Sequence, residues 1–98
     1  MSDELPLRQK LNAETARLPW SALLRFFARG EVISVAAEID LLDVAVAMAE
    51  DDAERVAAWM RAELVMPVSD TAAQRWQAAD AQVWTVVVRP WVLVQERG

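Results

Sequence analysis

The chain has no cysteine, no histidine and no tyrosine, and Lys10 is its single lysine. Without cysteine, a disulfide and a thiolate metal site are both excluded. Without histidine, the commonest general base and the commonest metal ligand are missing. The only internal glycine is Gly30, so a glycine-rich phosphate-binding loop is excluded as well. These absences predict a protein that is not an enzyme and that uses no cofactor.

Long hydrophobic runs are also missing. The longest apolar stretch, residues 83–94, is interrupted by Arg89 and Pro90, and it is too short to cross a bilayer as a helix. The N-terminal residues MSDELPLRQK lack a basic segment followed by an apolar run, so we expect no signal peptide. We therefore expect a cytoplasmic protein that does not associate with membranes.

The composition is that of one folded domain, which we place over residues 1–98. Hydrophobic residues make up 55% of the 98 residues and charged residues 26%, with a net charge of −5, which is typical of a globular protein. Residues 31–54 carry eight carboxylates and no basic side chain. A chain of this charge is repelled by phosphate backbones, which argues against nucleic acid as a partner.

Apolar periodicity and breaker residues predict the secondary structure. The helices are predicted at 4–18, 20–29, 40–50, 52–63 and 71–80, and the strands at 31–35, 65–68 and 82–95. Gly30 stands where a helix C-cap is expected. The N-caps are predicted to be Asp40, then Asp51 or Asp52, and finally Thr71 with Gln74 as a capping box. The fold class is therefore α+β, with about five helices packed on a small three-stranded sheet.

Two segments must be covered on more than one side. The helix at 40–50 is apolar almost all round, and such a helix is buried. The segment 82–95 alternates between two faces that are both apolar, which predicts a strand covered on both faces. Arg89-Pro90 is either a bulge in one strand or the turn of a hairpin. The lack of glycine or asparagine there favours the bulge.

Acidic and aromatic residues supply the candidate functional positions. Glu50, Asp51 and Asp52 are adjacent and could offer oxygen ligands to a divalent cation, but their spacing matches no calcium loop, and helix capping is the interpretation we prefer. Of the five tryptophans, Trp20, Trp84 and Trp91 fit a core pattern. The predicted interaction surface consists of the two other tryptophans and the acidic band: Trp59, Trp76, Asp43, Glu50, Asp51 and Asp52. For these two tryptophans a place in the core is the alternative, and we give it the greater weight. We expect a non-catalytic module that binds itself, as a homodimer, or another protein.

Several segments resemble a small bacterial family, the domain of unknown function 2288. They are LPWSALLRFFARGEVISV, AEDDAERVAAWM and VVVRPWVLVQ, and the resemblance extends over nearly the whole chain. It implies no activity, because the family has none assigned. The predicted element order over residues 20–68 also follows that of a winged helix, so the alternative function is a degenerate winged helix that contacts nucleic acid. Acidic residues at the start of its would-be recognition helix argue against that alternative.

Overall fold

The computed structural model describes residues 4–96, which form five α-helices and a five-stranded sheet. The helices are α1 (Glu4–Glu14), α2 (Leu24–Ala28), α3 (Leu41–Ala49), α4 (Ala53–Arg61) and α5 (Asp70–Ala79). The strands are β1 (Ala16–Pro19), β2 (Val32–Val35), β3 (Val65–Pro67), β4 (Gln82–Val88) and β5 (Trp91–Gln95). A 3-10 turn, Trp20–Leu23, leads into α2. The fold is therefore α+β, as predicted.

The sheet is larger than the three strands that we predicted. Its order is β1-β4-β5-β2-β3. β5 runs parallel to β2, and the other neighbouring pairs are antiparallel. The helix, strand, helix, helix, strand order of a winged helix is present over residues 24–67. However, β1 extends the sheet beyond β4, and α5 follows β3 where a wing would follow.

The first extra strand, β1, occupies the end of the segment that we predicted to be helical to residue 18. α1 ends at Glu14 instead, and Ala16 to Pro19 pair with Thr85 to Gln82 of β4. Leu18 packs against the core from this strand. Pro19 lacks a backbone N–H and stands at the end of an edge strand, where proline is tolerated. Pairing with β4 thus outweighs the weak apolar periodicity that predicted a helix over these residues.

The second extra strand arises because Arg89-Pro90 is a hairpin turn, so the bulge interpretation was wrong. Val88 pairs with Trp91 across the two residues. Their peptide bond is cis, as in type VI turns. The preference for glycine or asparagine applies to the commoner two-residue turns. As a result Val86 faces the same side as its partner Leu93, and Val92 faces the other side.

The sheet is covered on both faces, as the pattern of residues 82–95 predicted. We call the side that carries Val86 and Leu93 the first face; α1, α3 and α4 cover it. The side that carries Val83, Val92 and Val94 is the second face, covered by the 3-10 turn, α2 and α5. Alternate residues of β5 thus enter two separate cores, because successive side chains of a strand point to opposite sides.

Helix α3 is the most completely buried helix of the described chain, since Leu41 and the run Val44–Ala47 are at most 1% exposed. The Asp40 side chain caps it by accepting a hydrogen bond of 2.8 Å from the backbone N–H of Leu42. Arg8 of α1 reaches over to Asp40 at 3.0 Å and Asp43 at 2.7 Å. These contacts fix the start of α3, and the covered helix confirms the expectation for residues 40–50.

The other helix ends follow local signals with one correction. Gly30 has a φ of +73° and its N–H bonds to the carbonyl of Phe27, as a C-cap glycine does. Helix α5 begins at Asp70 because the hydroxyl of Ser69 accepts a bond of 3.1 Å from the N–H of Ala72. The predicted capping box of Thr71 and Gln74 was therefore wrong. Among the helices of residues 4–96, none is long and apolar enough to cross a membrane.

Candidate functional site

An open groove lies between the junction of α3 with α4 and the turn of the β4–β5 hairpin. It has a volume of about 330 Å³, and its lining includes Met48, Asp51, Asp52, Val56, Arg89 and Trp91. We call it the hairpin groove. Its volume is near the lower end of the range for sites that bind small molecules or side chains. Apolar groups and charges of both signs meet there, so it is the candidate site.

The sharp break between α3 and α4 forms one wall of the hairpin groove. Asp51 adopts a φ of +56°, in the left-handed region that aspartate tolerates better than most residues. The N–H of Asp52 then bonds to the carbonyl of Ala47 at 2.8 Å. The Asp52 side chain accepts a hydrogen bond of 3.3 Å from the N–H of Arg55 and so caps α4. The turn at Asp51 and the capping of α4 by Asp52 together place two carboxylates at the groove.

The hairpin forms the opposite wall, and its main aromatic group is Trp91. This side chain is 38% exposed, although we predicted it to be in the core. Trp91 is the first residue of β5 and lies directly after the turn, at an end of the sheet that the helices leave partly open. Val87 is 48% exposed on the other side of the same hairpin end. The turn therefore presents apolar side chains on both of its faces.

The carboxylates at this end of α3 lack the basic partners that those at its start have. Within residues 4–96, no ion pair is formed by Glu50, Asp51, Asp52 or Glu54. At the start of α3, by contrast, Asp40 and Asp43 share Arg8. The nearby Arg55 lies over the ring of Trp59, 5.0 Å from its centroid. The groove is thus bordered by two carboxylates, which the helix dipole of α4 favours, and by one guanidinium, that of Arg89, with which neither carboxylate forms an ion pair within residues 4–96.

The structure separates the residues that we predicted to form one surface. Asp51 and Asp52 line the hairpin groove, and Glu50 is exposed beside them. Asp43 is at the other end of α3, about 12 Å away along the helix axis. Trp59 is half-buried against the first-face core. For Trp76 the core alternative holds and its place in the interaction surface was wrong, because this side chain is only 3% exposed, in edge-to-face contact with Trp20.

Four residues of the groove were not predicted: Met48, Val56, Arg89 and Trp91. A signal was available for the last two, because reading Arg89-Pro90 as a turn would have placed Trp91 at the end of a sheet. For the divalent-cation hypothesis, the described part of the chain contains no group of three or more acidic side chains close enough to hold a metal ion.

The chain is thus a small α+β domain with an open, acid-bordered groove. A family model described as "Protein of unknown function (DUF2288)" matches residues 6–96, and the chain belongs to this family. No curated protein matches. A similar solved structure is the NMR solution structure of PA1075 from Pseudomonas aeruginosa. It is 45% identical with a TM-score of 0.83, over 95% of this chain and 86% of that chain.

Proposed function

We propose that this protein is a non-catalytic module that binds a second copy of its own chain through the hairpin groove. The observation that carries the proposal is the exposed ring of Trp91 in a groove whose two aspartates have no ion-pair partner within residues 4–96. Tryptophan is enriched among the few residues that dominate binding energy at protein interfaces. An exposed tryptophan beside free charges fits such an interface.

The hairpin turn strengthens this proposal because it is apolar on both sides. Val87 and Trp91 are 48% and 38% exposed at the same end of the sheet, and Pro90 is exposed between them. Scattered exposed apolar groups are ordinary, but these three gather around one turn, and Pro90 and Trp91 line the groove. Covering this end of the hairpin would remove apolar surface from water, a favourable change of roughly 25 cal/mol for each Å².

The proposal of a non-catalytic role is supported by the chemistry that the groove offers. Its ionisable groups are Asp51, Asp52 and Arg89, and the sequence supplies neither histidine nor cysteine as a base or nucleophile. One carboxylate, Asp52, already accepts the N-terminal N–H of α4. Its structural role as a cap therefore accounts for that residue without any reaction.

A second copy is the partner that the charges of the chain favour. Residues 15–30 contain three arginines and no carboxylate, whereas residues 31–54 contain eight carboxylates and no base. One molecule therefore carries both members of a complementary pair. Complementary potentials steer association and fix its orientation. A different protein with a basic, apolar surface would fit the groove by the same chemistry, and the measurement below separates these cases.

Light scattering over a concentration series tests the proposal. We expect the mass of the native chain to rise above 11.0 kDa with concentration. Trp91→Ala should weaken this association at least tenfold, about 1.4 kcal/mol, since truncated hot spots commonly cost more than 1 kcal/mol. The matched control is Met66→Ala, an apolar side chain 44% exposed on the edge strand β3. A strict monomer, or a response to Met66→Ala only, would contradict the proposal.

Nucleic-acid binding by a degenerate winged helix is the alternative. In that arrangement α4 would be the recognition helix, but Asp52 and Glu54 stand at its N-terminal end, where contacts to bases would be made. We expect no retardation in a gel-shift titration at low salt. Retardation that weakens steeply as salt rises would instead support phosphate contacts and the alternative.

A further inference from the structure

We infer that the surface which fills the hairpin groove is an arginine pair at the end of α2 of a second copy. This inference rests on the proposed function, because it names the partner surface of the same groove. The pair is Arg25 and Arg29, which flank Phe26; we call these three residues the arginine patch.

Both arginines of the patch lie over the same aromatic ring. The guanidinium carbon of Arg25 is 5.0 Å from the centroid of Phe26, and that of Arg29 is 5.8 Å from it. Arg29 is 62% exposed, and its only ion pair within residues 4–96 is a loose one of 3.7 Å to Glu31. Arg25 forms no ion pair with the described residues. The patch therefore offers two guanidinium groups in a fixed, partly apolar setting.

The hairpin groove offers what such guanidinium groups bind best. Arginine pairs with carboxylates through parallel hydrogen bonds and stacks on aromatic faces. Asp51, Asp52 and the exposed ring of Trp91 line the same groove. Next to the patch, Leu24 is 42% exposed and can cover apolar surface at the rim. The two surfaces thus match in charge and in their mixture of apolar and charged groups.

The positions of the two surfaces determine the type of assembly. Phe26 packs on the second face of the sheet, whereas Met48 and Val88 of the groove belong to the first. Both surfaces nevertheless lie at the same end of the sheet, because the N–H of Val92, next to Trp91, bonds to the carbonyl of Glu31, two residues after Arg29, at 2.9 Å. In a two-fold dimer the groove of each copy can therefore receive the patch of the other. We expect the mass to rise to that of two chains and then to stop growing as the concentration rises.

Two variants, each lacking one surface, provide the test. The patch variant carries Arg25→Glu and Arg29→Glu. The groove variant carries Asp51→Asn and Asp52→Asn, because asparagine keeps both the left-handed backbone and the helix cap. Each variant alone should be monomeric under conditions where the native chain associates. An equimolar mixture should form a complex of two chains, weaker than the native dimer, since one intact groove meets one intact patch while the second contact is lost.

The controls separate this inference from the proposed function. Arg17→Glu with Arg61→Glu changes the net charge as much as the patch variant and should leave association within about threefold, as expected for exposed charges outside the contact. Unchanged thermal unfolding confirms that each variant is folded. If Trp91→Ala blocks association and the patch variant does not, the inference is overturned while the proposed function stands. If the native chain stays monomeric, both are overturned.

Salt dependence gives an independent readout. Exposed charges are screened over about 10 Å at 0.1 M salt and about 3 Å at 1 M. We expect association of the native chain to weaken at least tenfold between those concentrations. Association that strengthens with salt would show an interface held by apolar contacts alone, and would overturn the assignment of the arginine patch.

Discussion

The two faces of the sheet are covered by different kinds of side chain. The first-face core consists of aliphatic residues, and the buried polar group on that side, the Gln95 side chain, donates to the carbonyls of Ala36 and Ile39 at 2.8 and 2.7 Å. The second-face core is aromatic, with Trp20 in edge-to-face contact with Phe27 and Trp76. Among the described residues, the buried indole N–H groups of Trp20 and Trp76 find no acceptor.

This difference follows from the elements that each face receives. Helices α1 and α3 pack along the first face, so many small aliphatic side chains can fill the space between them and the sheet. The second face has the short helix α2 and the helix α5. Large rings cover it with few residues, because each aromatic side chain buries about 150–250 Å². The unpaired indole N–H groups offset part of that gain, by roughly 1–3 kcal/mol each.

The largest effect is expected from opening a cavity on the first face. Leu41 is 0% exposed at the start of α3, so Leu41→Ala should lower the free energy of unfolding by about 3–5 kcal/mol. The melting temperature should fall by more than about 10 °C. Leu24→Ala is the control, since Leu24 is 42% exposed and its loss should cost less than about 1 kcal/mol. A loss under about 1.5 kcal/mol at Leu41 would mean that α3 repacks freely.

A smaller effect is expected from the polar group on the same face. Gln95 is 2% exposed, and Gln95→Leu keeps its approximate shape but removes the donor to two carbonyls of the loop before α3, of which, among the described residues, only that of Ala36 keeps a second donor, the N–H of Ile39 at 3.3 Å. We expect a loss of about 2–3 kcal/mol, measured by urea unfolding. Gln82→Leu, the same change at an exposed position of β4, should stay within about 0.5 kcal/mol. Equal costs at the two positions would show that the buried hydrogen bonds of Gln95 contribute no stability.

Features fixed by neighbouring residues could be predicted from the sequence. The end of α2 at Gly30, the cap of α3 at Asp40 and the burial of α3 were all confirmed. Each depends on backbone conformation, a local hydrogen bond or helical periodicity. Family membership was confirmed as well, because its motifs are segments of continuous sequence.

Features that depend on distant pairing could not be predicted. Residues 16–19 form a strand only because β4 lies beside them. The Arg89-Pro90 turn reversed the assignment of β5 residues to faces, and with it the burial of Trp91. For the candidate site, sequence identified Asp51 and Asp52 as a charged pair. Whether a tryptophan joins them depends on where helices stop short of the sheet, which is a property of tertiary packing.

The smallest effect is expected on the second face, where the comparison is sharpest. Trp76→Phe removes apolar ring area, which destabilises, and an N–H that has no acceptor among the described residues, which stabilises. These terms nearly cancel, so we expect a net loss of about 1 kcal/mol or less by urea unfolding, far below the 3–5 kcal/mol typical of Trp→Ala. Trp20→Phe should have a similar effect, since its buried N–H also has no acceptor among the described residues. A loss of about 3 kcal/mol at either position would show that the indole N–H donates to a buried water. The buried polar groups of both faces would then have hydrogen-bond partners.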